Sequence, residues 1–226
     1  MTGYHAVLLA AGAGSRFGGR KLLTAWRGEP LVCAATRIAL AAPVEGCIAV
    51  TGCDADQVEA ALGRIGDERL TIVGCPDWGE GLSASLRCGL GALPSSSLGV
   101  VVFLADMPLV PTEAAAPLLE ALRQGALAAE YRSGARPAHP VAFARELYPE
   151  LVAVRGDQGG RALLVDRAGV VRLTTARPGA IFDIDRRSDL DALARHDAGP
   201  AAGDADGSPP GPRPPAEQGR AERLPS

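Results

Sequence analysis

Through the first half of the chain, short apolar runs alternate with helix-like segments, and that alternation constrains the fold more than any other feature. Ala6-Val7-Leu8-Leu9-Ala10 has the length and character of a buried strand and runs straight into a glycine-rich loop. Pro30 opens a helical stretch to about Ala41. Cys47–Val50 is a second strand, and Asp54-x-x-Gln57 has the spacing of a capping box for a helix to about Leu62. Leu70–Val73 is a third strand, Leu82–Leu93 a helix by its apolar spacing, and Val100–Leu104 the most strand-like run of all. Thr112 caps a helix to about Gln124. The second half is less regular. Strands at Leu127–Tyr131 and Val141–Phe143 flank a loop, Arg132–His139. Gly159–Val165 is a short helix, Val170–Leu173 a strand, and Ser188-x-x-Asp191 caps a last helix. This succession implies an α/β fold: a single domain with a doubly wound, mainly parallel, Rossmann-like sheet. Ligands of such sheets sit beyond the carboxyl ends of strands. Chemistry is therefore expected in the loops after Ala10, Val73, Leu104 and Phe143.

The first of these loops is Ala10-Ala11-Gly12-Ala13-Gly14-Ser15-Arg16-Phe17-Gly18-Gly19-Arg20-Lys21. Its glycines let backbone N–H groups come close to an anion, and Arg16, Arg20 and Lys21 add positive charge, which suits a triphosphate. Every cation of the chain except Lys21 is arginine, so the one lysine falls in this loop. A Walker loop would require Gly-Lys-Ser/Thr, but Arg20 precedes Lys21 and Leu22 follows it. A dinucleotide fingerprint would require glycine at position 17, which is Phe17. On the loop alone, a flexible turn with solvated charges remains open.

Carboxylates recur after the strongest strand and near the end. Asp106 follows Val100–Ala105 directly and offers a hard oxygen ligand beside phosphates; it equally suits a turn before Pro108. In Asp183-Ile184-Asp185, alternation puts both acids on one side of an extended segment, either as metal ligands or as solvated or capping residues. Between strand and helix, Gly81, Ser83 and Ser85 supply N–H and hydroxyl groups at a helix start, as a binding edge or as plain caps. His139 (before Pro140) and Arg161 are a loop histidine and a surface arginine unless a ligand meets them.

Leu9-Ala10-Ala11-Gly12-Ala13-Gly14-Ser15-Arg16-Phe17-Gly18-Gly19-Arg20-Lys21 resembles, without mismatch, the L-A-A-G-x-G-x-R-x-G-x-x-K signature of the MobA-like nucleotidyltransferases. The resemblance implies that Leu9, Ala10, Ala11, Gly12, Gly14, Arg16 and Lys21 wrap the triphosphate of an NTP, with Arg16 and Lys21 on its phosphates. Leu104-Ala105-Asp106-Met107-Pro108 is similar to the family's L-x-D-M-P, whose aspartate binds the metal. Asp183–Leu190 is similar to D-I-D-T-P-E-D-L, with Arg186-Arg187-Ser188 in place of Thr-Pro-Glu. Asp106, Asp185 and Asp183 are thus the implied Mg²⁺ ligands, and Lys21, Arg16 and Asp106 the catalytic residues.

The stretch Cys75–Leu90 is similar to the P-x-W-x-x-G-x-x-x-S-L-R-x-G-L pattern of the molybdenum cofactor cytidylyltransferase (MocA-like) branch, which places Gly81, Ser83 and Ser85 at the base and ribose. Arg136–Phe143 and Arg155–Leu164 resemble that branch's G-R-x-G-H-P-V-x-F and G-D-x-G-A-R-x-L-L. Ala138 replaces glycine and Gly160 replaces alanine. These elements imply an acceptor pocket with His139, Asp157 and Arg161. The resemblance spans about residues 5–193 and implies Mg²⁺-dependent transfer of CMP from CTP to molybdopterin, with release of pyrophosphate. It also implies transient contact with a molybdoenzyme or its chaperone. Competing readings are a nicotinamide-dependent dye reductase of the same family, of the nicotine blue oxidoreductase type, and a non-catalytic cofactor carrier. A same-fold transferase using GTP or a sugar or alditol phosphate is a further one.

Composition narrows the classes further. With 23 Lys+Arg against 26 Asp+Glu the formal charge is -3, which argues against a nucleic-acid-binding chain and gives no polybasic membrane anchor. Five cysteines without a C-x-x-C, and three histidines without helical pairing, suggest neither disulfides nor zinc and fit a reducing cytoplasm. No apolar run approaches the roughly 20 residues of a membrane span. Residues 198–226 are rich in Pro, Gly and Ala and nearly free of large apolar side chains, as expected for a disordered tail behind a folded domain at 1–197.

Overall fold

The computed structural model describes residues 3–175, 179 and 181–191. The segment at 198–226, expected to be a tail, lies outside the described residues. A seven-stranded sheet forms the centre, in the order β5-β4-β1-β6-β8-β7-β9. Its strands are β1 (Tyr4–Ala10), β4 (Gly46–Thr51), β5 (Leu70–Gly74), β6 (Gly99–Leu104), β7 (Ala128–Ser133), β8 (Arg136–Ala144) and β9 (Val170–Thr174). A small hairpin, β2 (Ala25–Trp26) with β3 (Glu29–Pro30), stands apart. The first four sheet strands are parallel, β8 runs antiparallel to both β6 and β7, and β9 is parallel to β7.

β1 is buried along all of its length because it lies between β4 and β6. Its alternation assigns the two layers of the core. Ala6, Leu8 and Ala10 face the side covered by α1 (Leu31–Ala41), α2 (Ala55–Gly63) and α4 (Ala115–Arg123). Val7 and Leu9 face α3 (Leu82–Gly91) and α5 (Tyr148–Ala153). Gly89 lets α3 press onto the sheet: a Cβ there would lie 2.6 Å from Val7 and 3.1 Å from Val50. This close seat holds α3 against β1 and β4. Among the described residues no helix is long and apolar enough to cross a membrane.

Several local expectations are corrected. Asp54 does not cap α2 with its side chain. It adopts a left-handed conformation (φ 54), and its carbonyl accepts the N–H groups of Gln57 and Val58. Thr112 lies inside a 3-10 turn, Thr112–Ala114, that leads into α4. The region Arg132–His139 is mostly hairpin rather than loop, with only Gly134 and Ala135 between β7 and β8. The helix expected at Gly159–Val165 is a pair of 3-10 turns, Gly156–Gln158 and Gly160–Leu164. Residues 187–191 are helical, so Ser188 is inside the helix; from within the same helix the Asp189 carboxylate reaches back and caps it, accepting from the N–H groups of Asp185 (2.8 Å) and Arg186 (2.7 Å). The loop after Phe143 is at the wrong end for chemistry. β8 runs antiparallel, so Ala144 pairs with Gly99 at the start of β6.

Candidate active site

The glycine loop is held open by its own backbone. Gly14 is left-handed (φ 58), and its carbonyl accepts the N–H of Phe17 at 2.9 Å and of Gly19 at 3.3 Å. Arg20 is also left-handed (φ 51), which turns the chain inward so that Lys21 enters a short 3-10 turn as a buried residue. The Lys21 side chain runs past Gly14, where a Cβ would lie 2.8 Å from the Lys21 Cβ. Its ammonium donates to Asp106 Oδ2 at 2.7 Å and lies 3.9 Å from Asp185 Oδ1. Arg16 donates to Asp185 Oδ2 at 3.0 Å. Lys21 is 10% exposed and Arg16 75%, so the lysine is the inner cation and the arginine the outer one.

The carboxylates are assembled by one docked segment. Ile184 is fully buried beside Phe17 and Leu31, and its N–H donates to the Asp106 carbonyl at 3.0 Å. Asp183 and Asp185 flank it, as alternation requires, although residues 182–185 join no strand. Desolvation raises the Asp183 pKa, and the negative charges of Asp106 and Asp185 raise it further. Two supports of this segment were not foreseen: the Asp189 cap, and Arg187 over the Phe17 ring at 5.0 Å. Both lie in the Arg186-Arg187-Ser188 departure and the residue after it, so the altered turn has its own anchors.

A cleft of about 450 Å³ opens beside these groups, at the carboxyl ends of β1 and β6. Leu9, Ala11, Gly12, Gly14 and Lys21 line it from the glycine loop, with Asp106 next to them. Gly81, Ser85 and Asp157 line it too, as does Trp78, which the sequence reading passed over although its motif contains it. Trp78 packs on Gly52 so closely that a Cβ there would lie 2.6 Å from its ring. Ala10 and Ser83 are placed differently from expectation. Ala10 is a buried end of β1 on the face of α1, away from the cleft, and Ser83 is buried with its hydroxyl 3.4 Å from Arg87 Nη1.

The three residues assigned to one acceptor pocket are divided. Asp157 belongs to the main cleft, whereas His139 and Arg161 line an adjoining pocket of about 50 Å³. The two cavities share Leu9, Leu82 and Leu104. His139 Nδ1 and Arg161 Nε are buried without a hydrogen-bond partner, while Arg161 Nη2 donates to the Ala138 carbonyl. Burial, reinforced by the Arg161 charge, pushes the His139 pKa down to about 3. Burial also lowers the Arg161 pKa to about 10, so the guanidinium keeps its charge near neutral pH and the imidazole has none. Gly160, in place of the expected alanine, is closely packed: a Cβ would lie 2.6 Å from Leu151 and 2.9 Å from Phe143.

Among the described residues no three His, Cys, Asp or Glu side chains converge tightly enough to hold a metal by themselves. Asp106 with Asp183 or Asp185 is still a hard-oxygen set of the kind Mg²⁺ or Mn²⁺ uses when phosphates complete its shell.

Residues 6–170 match the family described as the MobA-like NTP transferase domain. The purine catabolism protein PucB of Bacillus subtilis is 26% identical over 201 residues, covering 84% of this chain and 95% of PucB. A solved nucleotidyl transferase from Methanothermobacter superposes with a TM-score of 0.71 at 26% identity, over 85% of this chain and 96% of its own. Rv0371C from Mycobacterium tuberculosis, solved as a complex with manganese, gives 0.67 at 25% identity, over 85% and 98%.

Proposed function

Since the chain belongs to the MobA-like NTP transferase family and is a nucleotidyltransferase, we propose that it transfers CMP from CTP to a molybdopterin phosphate. The contact of Lys21 with Asp106 at 2.7 Å, at the end of a cleft walled by bare glycine-loop amides, carries this reading. An acceptor phosphate oxygen attacks the α-phosphorus, the bond to the bridging β-phosphate oxygen breaks, and pyrophosphate leaves in line. The N–H groups around Gly12 and Gly14 cradle the triphosphate. Lys21 and Arg16 offset the charge that builds on the leaving pyrophosphate. A divalent ion on Asp106, with Asp183 or Asp185, supplies charge neutralisation at the phosphate oxygens when bound; the manganese complex of Rv0371C supports this.

Arg161 and His139 hold the acceptor with different chemistry. Arg161 supplies charge to an anionic pterin, and the neutral imidazole supplies only hydrogen bonding. The choice of CTP rests on the Cys75–Leu90, Arg136–Phe143 and Arg155–Leu164 stretches that resemble the cytidylyl branch. A cytoplasmic site of action, with the product handed to a molybdoenzyme or its chaperone, goes with that chemistry. The test offers each of four NTPs with molybdopterin and Mg²⁺ or Mn²⁺, following pyrophosphate and product mass. A cytosine dinucleotide product is expected. A guanine product would move the chain to the other branch, and oxidation of NADH without added metal would overturn the transferase reading.

A further inference from the structure

Asp157, an expected acceptor residue, lines the main cleft with Gly81 and Ser85. It abuts Gly81 while its side chain stays exposed to solvent. Gly81 has φ 106, and a Cβ on it would lie 2.4 Å from Asp157 Oδ1 and 2.9 Å from the Gly156 carbonyl carbon. Among the described residues Asp157 has no hydrogen-bond or ion-pair partner, in contrast to Asp106 and Asp185, which are paired with Lys21 and Arg16. An ionised carboxylate accepts hydrogen bonds and donates none. It also repels phosphate. A nucleotide whose phosphates are drawn to Lys21 and the glycine-loop amides must therefore bring its uncharged portion to Asp157.

We propose that Asp157 is a specificity residue whose carboxylate selects nucleosides presenting an N–H or O–H donor, and that it does not hold the anionic acceptor. The inference rests on the proposal that an NTP occupies this cleft. Two parts of the ligand carry such donors, the exocyclic amine of the base and the ribose hydroxyls. Both are read without the acceptor by calorimetric titration of the full chain with CTP, UTP, dCTP and inorganic tripolyphosphate, in Mg²⁺.

Wild type is expected to prefer CTP over UTP if the amine is read, or over dCTP if the 2′-hydroxyl is read. The preference is expected to be about tenfold to a hundredfold, the range of one hydrogen bond to a charged group. Asp157→Asn is expected to remove most of that preference and to bind tripolyphosphate no more weakly than wild type, since the variant loses a charge that repels phosphate. The same nucleotide ratios in wild type and variant would overturn the inference. So would an equal loss for tripolyphosphate and CTP, or a lowered Tm with unchanged ratios, which would make Asp157 a support for the start of α3. If wild type bound neither nucleotide nor tripolyphosphate, the proposed function itself would fall, a result distinct from all of these.

Discussion

Lys21 meets Asp106 across 85 residues of sequence, and it does so because two left-handed positions, Gly14 and Arg20, fold the loop back on itself. The pair is mostly shielded from water, whereas the Arg16–Asp185 pair is open to it. Exposed pairs of that kind contribute about 0–1 kcal/mol to stability, so Arg16 adds little to the fold, and its proposed part is its charge toward the nucleotide. Lys21→Ala and Asp106→Ala are each expected to reduce pyrophosphate release by at least about a hundredfold, the scale of losing a preorganised charge-stabilising group. Circular dichroism should show both variants folded. Near-normal turnover by either would remove it from the mechanism. Gly14→Ala tests the loop itself. It forces a side chain into the left-handed region, which costs roughly 1–2 kcal/mol, and sets its Cβ against Lys21. Weaker triphosphate binding with a modestly lowered Tm is expected, measured by titration and thermal unfolding.

At the scale of elements, the buried strands and the glycine loop were legible because each depends on residue type at its own position. β1 and β6 read as apolar runs because both their faces are covered. The outer hairpin did not, because Arg132, Ser133, Arg136 and Pro137 sit where the strands leave the core and no longer need to be apolar. Caps at Asp54 and Thr112 failed for a different reason. Their residue types permit capping, but the backbone puts neither side chain at a cap: Asp54 is left-handed, and Thr112 is already inside the 3-10 turn. The candidate site follows the same division. Lys21, Asp106 and the acidic pair were identifiable as types, while the separation of Asp157 from His139 depends on how the 3-10 turn Gly156–Gln158 abuts Gly81. Gly160 shows how packing overrides a family pattern. Gly160→Ala restores the expected residue yet is expected to destabilise by about 1–3 kcal/mol, the usual cost of overpacking, since Leu151 and Phe143 occupy the space. Urea unfolding measures this; a neutral substitution would mean that Leu151 can yield.

For the whole molecule, the buried His139 of the smaller pocket gives stability a pH dependence. His139 is neutral when folded, with its pKa pushed down to about 3 by burial and by Arg161, and a hydrogen bond with the Val102 backbone only partly opposes this. In the unfolded chain the imidazole returns to its ordinary value of 6.5. Between those values the unfolded state binds a proton that the native state refuses, so stability rises with pH across this window. The contribution is complete above pH 6.5 and is lost as pH falls toward 3. The slope approaches about 1.4 kcal/mol per pH unit for one group. Between pH 7 and pH 5 wild type is therefore expected to lose about 2 kcal/mol more than His139→Gln, a side chain that cannot take up the proton. Urea denaturation of both proteins at the two pH values gives the difference directly, and it cancels the carboxylates that titrate in each. Equal losses would mean that the ring is protonated inside the fold, and the pocket of His139 and Arg161 would then carry two positive charges in place of one.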